Sequence, residues 1–179
     1  MPASGKTTLA KILAKRLHVQ EISAGDILKE MAKERSYKVT GNEWWDTPDG
    51  MKFLAEREKN PDFDNETDRR LMDRIAKGDI VVTSYTAPWL SKVGFKVWLE
   101  ASVENRAKRM SKRDSTDLKE AEEATRARDV RNAKLYKELY GIDFGRDTKP
   151  FDMVIDTNAL TPDQVADRIL AKIKELRLQ

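Results

Sequence analysis

The sequence has no cysteine and only one histidine, His18. These absences exclude disulfide bonds, thiolate metal ligands, a thiol nucleophile and any metal site built from several histidines. No apolar run approaches the roughly 20 residues that a membrane-spanning helix needs, and the first residues lack the basic, apolar and small-residue order of a signal peptide. We therefore expect a cytoplasmic protein with no membrane partner.

Charge is abundant but nearly balanced. Of the 179 residues, 36% are charged and 39% are hydrophobic, and the formal net charge is only +3. A net charge this small does not indicate nucleic acid as a partner. Any anion-binding site must therefore depend on a local group of positive charges. The length suits one domain with its own core, and we predict a single domain over residues 1–179 that acts as a monomer.

Helical and strand patterns alternate along the chain. Apolar positions at helical spacing predict helices over 7–17, from 25 onward, and over 51–59, 63–77, 102–113, 117–140 and from 161 onward. Short β-branched and aromatic runs predict strands over 18–23, 80–83, 95–99 and 153–156. This alternation is typical of parallel β-α-β units with a sheet buried on both faces.

The first seven residues carry most of a phosphate-binding loop. The P-loop pattern is Gly, four residues, then Gly-Lys-[Ser/Thr] at the start of a helix, and the chain has Gly5, Lys6 and Thr7 in those last positions. Glycine allows the backbone to approach phosphates, lysine bridges their oxygens, and the threonine hydroxyl ligates Mg²⁺. The alternative is an ordinary helix cap, although a capped helix followed by alternating strands favours the loop.

The beginning of this pattern is missing. The first glycine, and the apolar strand that normally precedes the loop, would lie before Met1. One alternative is that Met1 is an internal methionine of a longer native chain, which a mass measurement of the native protein tests. The lost strand lies mid-sheet in such folds, so its absence is expected to leave neighbouring strands without backbone partners.

Several stretches resemble one enzyme family. The phosphate loop and the segment Ile22-Ser23-Ala24-Gly25-Asp26-Ile27-Leu28 are similar to the nucleoside monophosphate kinases, and most of all to the archaeal cytidylate kinases. The likeness continues over nearly the whole chain, through 68–70, 77–82, 96–99, 106–113 and 135–143. It implies a P-loop NTPase fold of three α/β/α layers around a parallel sheet, with a monophosphate-binding arm over 35–62 and a helical lid over 109–131.

The resemblance also implies the reaction and the donor site. The family transfers the γ-phosphoryl group of ATP, with Mg²⁺, to a nucleoside monophosphate, here CMP or dCMP. The residues implied to bind ATP are Ala3, Ser4, Gly5, Lys6, Thr7 and Thr8, with Thr7 on the metal. Those implied to act in catalysis are Lys6, Arg109, Arg113 and Arg128.

Helical spacing supports these arginines independently. Positions 106, 109 and 113 fall on one helix face, as do 128 and 131, so their guanidinium groups could act together. The alternative is a solvated surface of ion pairs, because the acidic residues Glu120, Glu122, Glu123 and Asp129 lie nearby in the sequence.

The acceptor side departs from the family pattern. The residues implied to bind the acceptor are Asp26, Lys29, Ser84, Tyr85 and Arg131. The family usually has arginine at the position of Lys29, and an acidic residue followed by Gly-Arg where this chain has Thr83-Ser84-Tyr85. Lysine keeps the charge but loses the bidentate fork of arginine.

Other features here leave two interpretations open. Asp26 fits either the acceptor site or the start of a helix. Trp44 and Trp45 fit either base stacking or local packing.

The altered acceptor residues leave two rival functions. The first is a kinase for another nucleotide or small acceptor. The second is a nucleotide-binding regulatory module that retains ATP contacts and has lost transfer.

Overall fold

The computed structural model describes residues 1–40, 43–60 and 62–177. The elements in this part of the chain are α1 (Lys6–Leu17), β1 (Gln20–Ser23), α2 (Ala24–Glu34), α3 (Pro48–Glu58), α4 (Asp62–Ala76), β2 (Ile80–Thr83), α5 (Ala87–Leu90), β3 (Val97–Glu100), α6 (Val103–Asp114), α7 (Leu118–Tyr140), β4 (Met153–Asp156) and α8 (Pro162–Arg177). A 3₁₀ turn covers Glu43–Asp46. The predicted helices and strands are therefore present. None of the described helices is long and apolar enough to cross a membrane.

The chain divides into two compact units. Unit 1 consists of Met1–His18 and Lys92–Gln179, and unit 2 consists of Val19–Ser91. Each unit contains a pair of strands and its own buried core. The single-domain organisation stays a prediction.

The strands are parallel, as the alternating pattern predicts. In unit 2, β1 pairs with β2 from Gln20 opposite Ile80 to Ser23 opposite Thr83. In unit 1, β3 pairs with β4 along its whole length, with Val97 opposite Met153. The α/β class with parallel strands is confirmed.

The expected single sheet is not what the described residues form. Their strands make two separate two-stranded sheets, β1 with β2 and β3 with β4. A continuous ladder needs another backbone within about 4.8 Å of each strand. The described residues between β2 and β3 form the short helix α5 and turns, so they supply no strand to join the two pairs.

Local capping explains where the principal helices begin. Ser102 caps α6 by accepting from Asn105 N, and Asp117 caps α7 by accepting from Lys119 N. Such caps satisfy N–H groups that have no partner within the helix. At the other end of α7, Gly141 closes the helix with a left-handed backbone. Helices α1 and α8 pack together, and Arg16 of α1 binds two acidic side chains of α8.

An aromatic core holds unit 2 together. Trp44 is 1% exposed, and its ring centroid lies 5.6 Å from that of Phe53, which lies 5.4 Å from that of Phe63. Buried aliphatic residues of α2 complete this core, among them Ile27 and Met31. Burial of these large apolar side chains provides the main stabilisation of the unit.

Candidate active site

The predicted phosphate loop closes on itself in front of α1. Ala3 and Gly5 both have a left-handed backbone, with φ of 54° and 94°. The 2% exposed Ser4 donates from Oγ to the carbonyl oxygen of Met1 at 3.0 Å, and Lys6 Nζ donates to the same oxygen. The loop thereby turns the chain into the helix and folds the Lys6 side chain back over its own backbone. Such a curl directs successive N–H groups towards one point, which suits an anion.

Lys6 lies in an environment that weakens its hold on a proton. Burial, and after it the positive charge of Arg106, lower the pKa of Lys6 from 10.5 to about 8. The Asp129 carboxylate acts in the opposite direction. A phosphate next to this ammonium would restore the balance of charge, as expected for a group that binds polyanions.

The two threonines at the start of α1 are exposed, and their hydroxyls are therefore accessible. Among the described residues, no group of three or more His, Asp or Glu side chains is arranged to hold a metal ion. Magnesium in phosphoryl-transfer enzymes usually keeps several waters and takes one or two protein ligands besides the substrate phosphates. The Thr7 hydroxyl thus fits a metal that arrives with a nucleotide, rather than one held in a protein cage.

Arg106 is buried at the base of the loop. Its guanidinium group donates twice to Asp129 of α7, at 2.9 and 2.6 Å, and once to the Ala101 carbonyl at 3.1 Å. A longer contact of 3.5 Å reaches the Pro2 carbonyl of the loop. Sequence reasoning placed Arg106 on the helix face of Arg109 and missed this buried pair, because the partner lies 23 residues further along the chain.

The other two arginines of α6 bind different partners. Arg109 donates to the hydroxyl and the carbonyl oxygen of Thr157, at 3.1 and 2.6 Å, just beyond β4. Arg113 makes a bidentate ion pair with its neighbour Asp114 at the exposed end of α6. The three guanidinium groups on this face therefore bind three different partners.

Two arginines of α7 remain exposed. Arg128 and Arg131 make no ion pair with any residue that the structure describes, whereas Arg126 of the same helix pairs with Glu122 at 2.7 Å. Arg128 contributes, after Arg113, to lowering the pKa of Asp114. The alternative of an ion-paired helix surface thus holds for Arg126, and Arg128 and Arg131 are accessible to an anion.

A cleft of about 260 Å³ lies at the carboxyl ends of β3 and β4. The residues that line it are Trp98, Glu100, Ala101 and Ser102 along and after β3, Asp156 and Asn158 at and after the end of β4, and Met1 and Gly145. Ligands of parallel α/β sheets usually bind at this end of the strands. The sequence carried no signal for the cleft beyond the two predicted strand ends.

In unit 2, Asp26 has the helix-start role. Its Oδ2 accepts from Ser23 N at 2.8 Å and from Ser23 Oγ at 2.6 Å, while Asp26 N donates to Ser23 Oγ at 3.1 Å. This reciprocal arrangement is a capping box at the start of α2. Its carboxylate is exposed nonetheless.

The paired tryptophans have different environments. Trp44 is buried in the aromatic core and therefore has the packing role. Trp45 is half-buried, and the Lys29 ammonium lies over its ring, 5.7 Å from the centroid. Lys29 and Trp45 are thus brought together, a contact that the sequence did not indicate.

The loop after β2 is braced internally. Ser84 Oγ accepts from the backbone N–H groups of Thr86 and Ala87, each at 3.1 Å, and lies 3.2 Å from Thr86 Oγ1. Thr86 Oγ1 in turn donates to Asp68 at 2.6 Å, where both residues are buried. The Ser84 hydroxyl is therefore engaged in holding the loop, and the neighbouring Tyr85 is half-buried.

Comparison with known proteins decides the family. A sequence model of the cytidylate kinase-like family matches residues 1–159. The chain belongs to this family. It is 32% identical to the cytidylate kinase of Methanopyrus kandleri, covering 98% of this chain and 91% of the relative. It is also 32% identical to that of Methanocaldococcus jannaschii, covering 99% and 96%. The resemblance drawn from the sequence is confirmed, and the chain is an enzyme of the nucleoside monophosphate kinase class.

Solved structures support the fold. An uncharacterised protein from Eubacterium ventriosum superposes with a TM-score of 0.62 at 18% identity, covering 96% of this chain and 92% of that chain. A shikimate kinase from Acinetobacter baumannii in complex with shikimate has a TM-score of 0.58, also at 18% identity, covering 99% and 92%. At this identity the likeness concerns the α/β kinase fold alone.

Proposed function

We propose that this enzyme transfers the γ-phosphoryl group of ATP to CMP or dCMP, forming CDP or dCDP. The observation that carries the proposal is the loop of residues 1–5, which curls over Lys6 at the first turn of α1. A helix N-terminus with a lysine folded back onto a glycine-containing loop suits the phosphates of a nucleotide. Family membership supplies the reaction class.

ATP binds to unit 1 in this proposal. The backbone of Ala3, Ser4 and Gly5 surrounds the phosphates, and Lys6 bridges their oxygens. Thr8 lies beside them on the first turn of α1. The cleft at the ends of β3 and β4 takes the nucleoside part.

In the 109–131 lid region, Arg113, Arg128 and Arg131 neutralise the charge of the transferred group. Arg128 and Arg131 are accessible for this role. Arg113 is exposed at the end of α6, where it would exchange Asp114 for a phosphate. Arg109 is held by Thr157 and therefore orients the start of this lid. Phosphoryl transfer depends on such positioning and charge neutralisation more than on a nucleophilic side chain.

Thr7 is the residue that would hold magnesium, together with the phosphates of the nucleotide. The metal would supply charge neutralisation on the phosphate oxygens.

The proposed substrates are metabolites of the cytoplasm, where we place the enzyme, and we propose that it acts as a monomer.

The acceptor binds to unit 2, in the region of the 35–62 arm. Lys29 offers a positive charge beside the exposed part of Trp45. Asp26 lies three residues earlier on α2, with an exposed carboxylate. Ser84 and Tyr85 contribute the loop that follows β2, with Ser84 shaping its backbone.

A different acceptor is the second candidate function. It is favoured by the loop after β2, where the family pattern places an arginine at the position of Tyr85 and where the Ser84 hydroxyl is bonded within the loop itself. Without that guanidinium, the acceptor phosphate has one bidentate partner fewer.

Replacement of Lys6 tests the proposal. Lys6→Ala should abolish ADP formation while leaving the unfolding midpoint close to that of the wild type, because the Lys6 ammonium donates to the Met1 carbonyl of its own loop. Lys11→Ala is the matched control, since Lys11 is exposed on the same helix and its side chain makes no hydrogen bond or ion pair with the described residues. Unchanged turnover in Lys6→Ala refutes the assignment of the loop.

A panel of acceptors identifies the substrate. The wild-type enzyme is incubated with ATP and Mg²⁺ and each nucleoside monophosphate, and ADP is followed. ADP formed with CMP or dCMP is the expected result. ADP formed only with another acceptor favours the second candidate, and tight ATP binding without transfer indicates a regulatory module.

A further inference from the structure

A charged side chain is buried where three segments of unit 1 meet. Arg106 is only 1% exposed. Its guanidinium group donates to Ala101 at the start of α6, to Pro2 in the phosphate loop and to Asp129 on α7. Four donor contacts from one planar group leave it little rotational freedom.

Stability alone gives little reason for a charge at this place. Replacing a buried ion pair with apolar side chains of similar size is often neutral or stabilising, because desolvation offsets the attraction. What the bidentate geometry between Arg106 and Asp129 does provide is a defined orientation. The pair is therefore better suited to fixing the orientation of the segments that it joins than to adding to the stability of the fold.

Two of those segments carry residues proposed to act on phosphates. Asp129 immediately follows Arg128 on α7 and precedes Arg131 by two positions. Successive side chains leave a helix about 100° apart, since it has 3.6 residues per turn. Anchoring Asp129 on Arg106 therefore fixes the directions in which these two arginines leave α7.

An apolar contact joins the same segments independently. Ala3 of the phosphate loop packs against a buried cluster formed by Ala107 and Met110 of α6 and Ala121 of α7. The loop thus rests on the pair of helices through both Pro2 and Ala3. A shift of α7 relative to α6 would be transmitted to the loop backbone.

We propose that Arg106, acting through Asp129 and Pro2, is a positioning residue that aligns the phosphate loop with the arginines of α7. The inference rests on the proposed function for the role of those groups. Arg106 itself contacts no substrate, and its effect on transfer is indirect.

Conservative variants test this role. Arg106→Lys keeps the charge and loses the bidentate fork, and Asp129→Asn keeps the shape and loses the charge. We expect kcat to fall about a hundredfold in each variant, because a misplacement near 1 Å is enough for such a loss. The KM for ATP should change by less than about threefold, since Lys6 and the helix terminus remain.

A measurement without substrate accompanies the kinetics. Hydrogen exchange of the amides of residues 3–8 should be faster in Arg106→Lys and Asp129→Asn than in the wild type, because the loop loses its anchor. Urea unfolding curves establish that each variant is folded. Arg126→Lys and Glu122→Gln are the controls, since they alter an exposed ion pair on the same helix and should change neither kcat nor exchange.

The outcomes distinguish a failure of the positioning role of Arg106 from a failure of the proposed function. Wild-type kcat and wild-type loop exchange in folded Arg106→Lys and Asp129→Asn overturn the positioning role, even where the unfolding midpoint falls. If the wild type forms no ADP with any monophosphate, the proposed function fails instead. In that case the exchange rates alone decide whether Arg106 orders the loop.

Discussion

The ammonium group of Lys29 lies 5.7 Å from the centre of the Trp45 ring, so the two residues form a cation–π contact on the surface of unit 2. Such contacts contribute about 0.5–1 kcal/mol at exposed sites and limit where the ammonium can lie. Trp45 is half-buried and belongs to the arm region, whereas its neighbour Trp44 is enclosed in the core. Lys29 is therefore held near an accessible aromatic ring, an arrangement that suits a nucleotide with a base and a phosphate.

Loss of the Lys29 charge should weaken acceptor binding. We expect Lys29→Met to raise the KM for the acceptor by about tenfold or more, since a hydrogen bond to a charged group contributes about 1.5–3 kcal/mol. The KM for ATP should stay unchanged, because the proposed donor site is in unit 1. Initial-rate kinetics with each substrate varied in turn provide the measurement.

Lys33→Met is the control for that experiment. Lys33 is exposed on the same helix, and its side chain makes no hydrogen bond or ion pair with the described residues. Equal acceptor KM values in Lys29→Met and Lys33→Met would contradict the placement of the acceptor.

The helices and strands could be predicted because their signals are local. Ser102 before α6, Asp117 before α7 and Gly141 after it are recognisable in the sequence, and the structure places the helix ends beside them. Strand pairing is not local. The four strand segments were correct, but which of them pair depends on which backbones lie beside them, and the composition of a segment does not show that.

The site was predicted less completely for the same reason. Arg106 shares a helix face with Arg109, but their partners, Asp129 and Thr157, come from α7 and from the segment after β4. Adjacent tryptophans likewise look alike in a sequence and differ only once the core has formed. The sequence allows the Ser84 hydroxyl to face a phosphate. Its acceptance of a hydrogen bond from Thr86 N depends on the backbone geometry of the loop, which the sequence pattern does not show.

Arg128 should matter more to turnover than its neighbour Arg126. Both are exposed on α7, but only Arg126 has an ion-pair partner in the described part of the chain. We expect Arg128→Ala to lower kcat on the order of a hundredfold, as for other groups that stabilise charge in a transition state. Arg126→Ala should leave kcat unchanged. Steady-state rates at saturating ATP measure both, and equal kcat values in the two variants would remove Arg128 from the proposed site.

Gly50 should be irreplaceable for steric reasons. A Cβ atom at this position would lie 2.1 Å from the carbonyl oxygen of Trp44 and 2.9 Å from Trp45 Cα. Because backbone atoms cannot move away as a flexible side chain can, we expect Gly50→Ala to destabilise the protein by about 3 kcal/mol. Urea unfolding followed by tryptophan fluorescence measures the change.

Gly25→Ala is the matched variant for that comparison. Gly25 also lies in the first turn of a helix, but a Cβ there would meet Ser23 Oγ at an ordinary 3.4 Å. We expect its free energy of unfolding to stay within about 1 kcal/mol of the wild type, as is usual for a substitution without a clash. Similar losses in both glycine variants would show that the approach of Trp44 to Gly50 is unimportant.

Glu66 should make the stability of unit 2 depend on acidic pH. Hydrogen bonds from Arg69, first, and from Arg70 lower the pKa of Glu66 from 4.5 to about 2. A group whose pKa is lower in the folded state stabilises the protein above its unfolded pKa, and this contribution is lost as pH falls from about 4.5 to about 2. In Glu66→Gln the urea midpoint should therefore be lower than in the wild type at pH 7, and the difference should narrow on acidification. Glu58→Gln is the control, because it removes an exposed carboxylate that has no ion-pair partner in the described residues, and its urea midpoint should follow the wild-type pH dependence. If the urea midpoint of Glu66→Gln ran parallel to those of the wild type and Glu58→Gln at every pH, the arginine contacts would not stabilise the fold.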